Sequence, residues 1–168
     1  IIVLMYHRFE ENKYPSTNIK IANFIEHLDL IKKNQFKLVN PNNFENALSN
    51  QKNNKKILLT IDDGFKSFYN NAWPILKKQE IPFILFINTK EVGSYGYMNW
   101  TQIKEIAKEK FVHIGNHSFS HEYLVDKKNE EIIYDINLSI SDLNNNLGYN
   151  SPFFSYPFGE YSNDFKKI

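Results

Sequence analysis

L-L-T-I-D-D-G-F, residues 58–65, starts as a run of apolar β-formers and ends in two adjacent carboxylates and a glycine. A strand that only packs ends in a neutral turn. Neighbouring acids repel each other, and each costs desolvation free energy where it is partly buried. A compensating group is therefore expected elsewhere in the chain, at a place set by the fold around this strand.

Further β-rich runs occur at 1–6, 36–40, 82–88, 111–116 and 152–156. They are near-continuous rather than alternating, the pattern of strands covered on both faces. Helical periodicity fills the intervals. Ile21, Phe24, Ile25, Leu28 and Ile31 share one face. So do Ile132, Ile133, Ile136, Ile140, Leu143 and Leu147, ahead of a stop at Gly148. Residues 67–79 and 99–109 predict two more helices, the second capped by Asn99. Strands separated by helices form βα units around a parallel sheet, either open or closed into a barrel. Reactive groups in such folds gather at the C-terminal ends of the strands.

Composition bounds the function. A chain of 168 residues, 42% apolar and 23% charged, suits one globular domain with its own core. A net charge of +1 argues against nucleic acid or an anionic membrane surface as partner. No run of about 18 apolar residues is present, so no transmembrane span is expected. The absence of cysteine excludes disulfides, a catalytic thiol and thiolate metal sites. None of the six glycines belongs to a G-x-G-x-x-G or Walker motif, which a nucleotide-binding domain needs. The opening I-I-V-L-M-Y reads as a strand without signal-peptide features, and the closing S-N-D-F-K-K-I reads as the start of a helix. A single domain over 1–168, cut from a longer protein at both ends, is the expectation.

The strand ends repay inspection. The run at 111–116 leads into H-S-F-S-H, where one helical turn would place His117 and His121 on the same face. Two histidines and a carboxylate form a common open ligand set for a catalytic divalent metal. The run at 152–156 ends in P-F-G-E, and the first run ends in Tyr6 and His7. Each feature alone has an ordinary reading. D-D-G is a solvated turn, H-x-x-x-H a surface pair, P-F-G a turn, and His7 a satisfied strand-end histidine. His27 reads as an exposed helix residue and His113 as structural. Their joint placement on one rim is hard to obtain from packing alone. One carboxylate of the Asp62–Asp63 pair would bind a metal, and the other, kept ionised beside it, would act as base. Such a metal lowers the pKa of its water and polarises a carbonyl, which suits hydrolysis of an amide or ester.

T-I-D-D-G (60–64), H-S-F-S-H (117–121) and S-Y-P-F-G (155–159) resemble the first three motifs of the polysaccharide deacetylases, the NodB-homology group of carbohydrate esterase family four. The resemblance implies an α/β fold, a distorted (β/α) barrel of mostly parallel strands, incomplete at the C-terminus in this chain. V-L-M-Y-H-R-F (3–9), P-S-T-N-I (15–19) and F-I-E-H-L (24–28) resemble the branch that includes deacetylases of poly-β-1,6-N-acetylglucosamine, a biofilm exopolysaccharide. Carried over by position, Asp62 would be the general base. Asp63, His117 and His121 would hold one divalent metal, zinc first and cobalt, nickel or iron as substitutes. Tyr156, Pro157 and Phe158 would line the groove floor, with a backbone N–H near Phe158 helping to stabilise the oxyanion. Tyr6 and His7 would be groove residues. The implied partner is an N-acetylated glycan, met outside the cytoplasm.

Two departures stand out. Ser155 occupies a position where much of the family has an arginine that orients the base, and no histidine follows His121 to serve as the family's general acid. A chain that stops before that acid is the favoured explanation. Alternatives in view are a deacetylase of peptidoglycan, chitin oligomers or a non-sugar amide, and a non-catalytic glycan-binding relative.

Overall fold

The computed structural model describes residues 1–49 and 55–168. Along the chain come β1 (Ile2–Tyr6), the short β2 (Arg8–Phe9) and β3 (Asn18–Ile19), α1 (Ile21–Lys33), β4 (Lys37–Leu38), α2 (Phe44–Ser49) and β5 (Lys56–Ile61). Then follow α3 (Trp73–Lys78), β6 (Phe83–Ile87), α4 (Trp100–Ala107), β7 (Val112–Asn116) and α5 (Asn129–Leu147). Strands β1, β5, β6 and β7 lie side by side in that order, all parallel, and β4 pairs with the start of β5. The expected α/β architecture with a parallel sheet is what the chain adopts.

β5 and β6 are buried along their whole length, which explains their unbroken apolar runs. Leu59, Ile61, Phe83, Leu85 and Ile87 face the main core, where Phe24 and Leu28 of α1, Leu76 of α3 and Ile103 of α4 cover them. The alternate residues Leu58, Ile84 and Phe86 point the other way and meet Val39, Phe44 and Phe153 in a second core. Gly115 of β7 is dictated by this packing, because a Cβ there would collide with the Phe86 ring.

Three local expectations are corrected. Residues 152–156 contribute one parallel bridge, Asn116 to Phe154, and no full strand. Pro152 offers no ladder N–H, and the Ser151 hydroxyl ties down the Phe153 N–H instead. The helix expected over 67–79 is split into a π-wound turn at Phe68–Ala72 and α3. Pro74, in the first turn of α3, has no N–H to continue an α-ladder backwards. The third correction concerns the two histidines and is described below. The Asn99 cap forms as expected, as a reciprocal capping box with Gln102.

Every strand of the main sheet runs the same way, so the segments after β1, β5, β6 and β7 emerge on one rim. The candidate site lies there.

Candidate functional site

Asp62 continues β5 by one residue, its N–H donating to the Tyr6 carbonyl at 2.8 Å. Asp63 (φ 72°) and Gly64 (φ 74°) then both enter the left-handed region. Glycine does so freely, and Asp is among the few other residues that tolerate it. The turn sets the Asp63 carboxylate against the segment that leaves β7. Asp63 Oδ1 lies 3.4 Å from His117 Nε2 and 3.2 Å from His121 Nε2. Asp62 Oδ2 lies 4.0 Å from His117 Nε2.

The histidines do not sit on a helical turn. Residues 117–121 form a bent loop in which Ser118 (φ 66°) and His121 (φ 54°) are left-handed. Side chains hold the bend. Asn116 Oδ1 accepts from the Ser118 N–H at 2.8 Å, and the Ser118 hydroxyl accepts from the His121 N–H at 3.0 Å. Asp135, buried on α5, accepts from the N–H groups of Phe119 and Ser120 at 2.8 and 3.1 Å. The loop therefore brings the imidazoles together by hydrogen bonding rather than by helical periodicity, with ring centroids 4.8 Å apart.

His117 Nδ1 lies 2.8 Å from the Ser155 carbonyl oxygen. A carbonyl only accepts, so Nδ1 carries the proton and Nε2 turns its lone pair toward Asp63. The Ser155 hydroxyl donates to Asp62 Oδ2 at 3.3 Å. One serine thus orients a histidine through its backbone and the expected base through its side chain. It takes up the orienting task for which the resemblance led us to expect an arginine.

Electrostatics sharpen the division between the two carboxylates. Burial pushes the Asp62 carboxyl up, against the pull of His117, His7 and the Ser155 hydroxyl, while the charge of Asp63 adds to the rise. Burial acts on Asp63 in the same direction, but the His117 and His121 contacts outweigh it and hold that carboxyl well below the usual range. Burial would depress His117, and Asp63 and Asp62 more than reverse it. Asp62 Oδ1 and Asp63 Oδ1 are nonetheless buried without a hydrogen-bond donor among the described residues.

Three lone-pair atoms, one each from Asp63, His117 and His121, lie within 4.8 Å of one another. Such a cluster is costly unless a cation fills it. Two neutral imidazoles and one carboxylate suit a divalent ion and leave coordination positions for water and substrate. The orphaned Asp63 oxygen is the feature of this structure that such an ion would satisfy.

The remaining predicted residues divide. His7, half-buried just past β1, lies near enough to Asp62 to pull its carboxyl down. Phe158 is exposed, at φ 60°, and its ring meets the His121 ring at 4.9 Å. Tyr156 packs edge-on against Phe165 beside it, and Pro157 is buried. Tyr6 is buried in the main core with its hydroxyl on His27 Nδ1, 2.9 Å away. Because its hydroxyl is taken and its ring is packed, Tyr6 supports the strand end and does not wall a groove. Asp135, Asn116 and the Ser155 hydroxyl are the contributors that sequence reading missed.

The family model for polysaccharide deacetylases matches residues 49–168. The chain is 32% identical over 123 residues to the poly-β-1,6-N-acetyl-D-glucosamine N-deacetylase of Staphylococcus aureus (strain MSSA476), covering 66% of this chain and 42% of that protein. It is 25% identical over 164 residues to YxkH of Bacillus subtilis (strain 168), covering 96% of this chain and 58% of that protein. The chain therefore spans only about half the length of these curated relatives. Among solved structures, IcaB from Ammonifex degensii superposes with a TM-score of 0.89 at 27% identity, covering 99% of this chain and 77% of that one. The Streptococcus pyogenes deacetylase PplD in complex with acetate superposes with a TM-score of 0.87 at 26% identity and the same coverage.

Proposed function

The chain belongs to the polysaccharide deacetylase family, and from that premise we propose that residues 1–168 form one catalytic domain that removes N-acetyl groups from an N-acetylglucosamine polymer. The observation that carries this reading is the ligand cluster of Asp63, His117 and His121, with the buried carboxylate of Asp62 within 4.0 Å of His117. The similarity to a poly-β-1,6-N-acetylglucosamine deacetylase favours that linkage, and with it an exopolysaccharide of biofilms met outside the cytoplasm. Among the described residues no helix is long and apolar enough to cross a membrane.

Asp63, His117 and His121 would hold the divalent ion, zinc by preference. When bound, the ion supplies Lewis-acid polarisation of the acetyl carbonyl and acidifies water at neutral pH. Asp62 takes a proton from the attacking water, and Ser155 aims the carboxylate for it. The C–N bond breaks as acetate forms, and the proton held on Asp62 balances the one gained by the departing amine. A backbone N–H in the Phe158 turn would share the charge on the oxyanion. Phe158, exposed beside His121, offers a flat face to the sugar.

Acetate release from β-1,6-linked oligo-N-acetylglucosamine in added zinc tests the reading. Release by wild type, falling about 10²- to 10⁴-fold in Asp62→Asn, is the expected result, the usual worth of a general base. No release by wild type, or equal release by Asp62→Asn, contradicts it.

A further inference from the structure

Ser155 is placed by a segment that is barely a strand. Residues 149–155 run beside β7 but form one bridge to it, Asn116 to Phe154. Two backbone bonds flank that bridge. The Asn116 N–H donates to the Phe153 carbonyl and the Ser155 N–H to the Asn116 carbonyl, both at 2.9 Å. Toward the start of β7 the ladder stops. Pro152 has no N–H, and the Phe153 N–H donates to the Ser151 hydroxyl at 3.1 Å instead of to β7. That part of the segment has to be fixed to the sheet by side chains.

Two side-chain contacts do this, at neighbouring residues of β7. The Tyr149 hydroxyl accepts from the Ile114 N–H at 3.3 Å. His113 Nε2 lies 3.2 Å from the Ser151 hydroxyl oxygen. The His113 ring is held for that contact by two aromatic rings, edge-on to Tyr149 at 5.5 Å and to Phe153 at 5.0 Å. Ser151 Oγ also reaches the Phe153 carbonyl at 3.3 Å. Contacts no longer than 3.3 Å thus lead from His113 through Ser151, the Phe153 backbone and Asn116 to Ser155, and from the Ser155 hydroxyl to Asp62. The last link is the sensitive one. At 3.3 Å the Ser155–Asp62 bond is long for an O–H···O contact, commonly about 2.7–2.8 Å, so a small displacement of the segment breaks it. The bond between the Ser155 carbonyl and His117 Nδ1, at 2.8 Å, has room to survive the same displacement.

We infer that His113, anchored on Ser151, is a positioning residue for the reaction: it sets where residues 149–155 lie along β7 and, through the Ser155 hydroxyl, aims the Asp62 carboxylate. The inference rests on the deacetylase reading above, in which Asp62 is the base. His113 is not one of the three cluster residues. Its influence therefore falls on the proton transfer, which sets kcat, and leaves the ion and substrate binding in place.

Acetate release from β-1,6-linked oligo-N-acetylglucosamine by the zinc-loaded protein tests it as a double-mutant cycle. His113→Ala and Ser151→Ala should each lower kcat about three- to tenfold, the effect of a misaimed base, with KM and zinc content unchanged. In a Ser155→Ala background, Ser151→Ala should lower kcat by less than about twofold more, because the route to Asp62 is already cut. Full kcat in the single variants, loss of zinc, or losses that multiply with that of Ser155→Ala would overturn the proposal. Ser151→Ala keeps the packing of the His113 ring, so the cycle decides the matter even where His113→Ala fails to fold. A crystal structure of Ser151→Ala reads the relay without substrate. Ser155 Oγ more than about 3.5 Å from Asp62 Oδ2 is expected, and an unmoved hydroxyl would overturn the relay. Absence of acetate release by wild type would contradict the deacetylase reading, with the relay still decided by that structure.

Discussion

Asp62 and Asp63 are adjacent and chemically identical, yet their surroundings assign them different tasks. Asp63 faces two imidazole nitrogens and stays ionised, whereas Asp62 is buried and lifted, with one oxygen on Ser155 and the other without a partner among the described residues. Ser155→Ala is expected to lower kcat about tenfold, on the scale of one misaligned base contact, with KM little changed. The Ser155 hydrogen bond favours the ionised carboxylate. Its loss raises the Asp62 pKa further, so the acid limb of the pH–rate profile should move to higher pH, as steady-state kinetics across pH would show. Asp62, Asp63, His117 and His121 were legible because each sits in a short motif at a strand end. Ser155 was visible only as a departure from the family's arginine. Its bond to Asp62 spans 93 positions of sequence, and no local pattern carries such a contact.

Elements were legible where burial imposes a period and obscure where hydrogen bonds shape a loop. α1 and α5 form where their apolar periodicity places helices and β5 and β6 where their continuous runs place strands, but the expected apolar faces are only partly buried: Ile25, Ile133 and Ile140 are exposed, and Asp135 and Ser139 take buried positions on α5. The H-S-F-S-H segment has the spacing of a helical turn but is held in a bend by Asp135, a buried acid on α5. Asp135→Asn keeps the size and loses one acceptor for the two loop N–H groups. It should cost about 1–3 kcal/mol of stability and weaken zinc binding about tenfold, measured by denaturant unfolding and chelator competition. His113 in β7 supplies a pH test away from the Asp63, His117 and His121 cluster. Burial lowers its pKa below 6.5, so the unfolded chain takes up the proton more readily. Its contribution is fully present above pH 6.5 and is lost as pH falls through that value toward the folded pKa. Thermal melts should drop over that window in wild type, and less in His113→Gln.

Across the whole molecule, the parallel sheet explains why residues far apart in sequence meet. A common strand direction delivers Asp62, Asp63, His117 and Ser155 to one rim, while the two cores hold that rim from below. The architecture was legible from alternating strand and helix patterns. The assembly of the rim, with a ligand cluster at β5 and β7 and Ser155 brought to it by a segment with a single bridge to β7, was not, because it depends on loops brought together only by the sheet. The proposed chemistry needs three side chains to share one cation. The measurement that tests this most directly is the number of zinc ions bound per chain, by elemental mass spectrometry after gel filtration. One ion is predicted for wild type and for Asp62→Asn, and well under half an ion for His117→Ala, His121→Ala and Asp63→Ala. Wild type that binds no zinc, or ligand variants that bind as much as wild type, would contradict it.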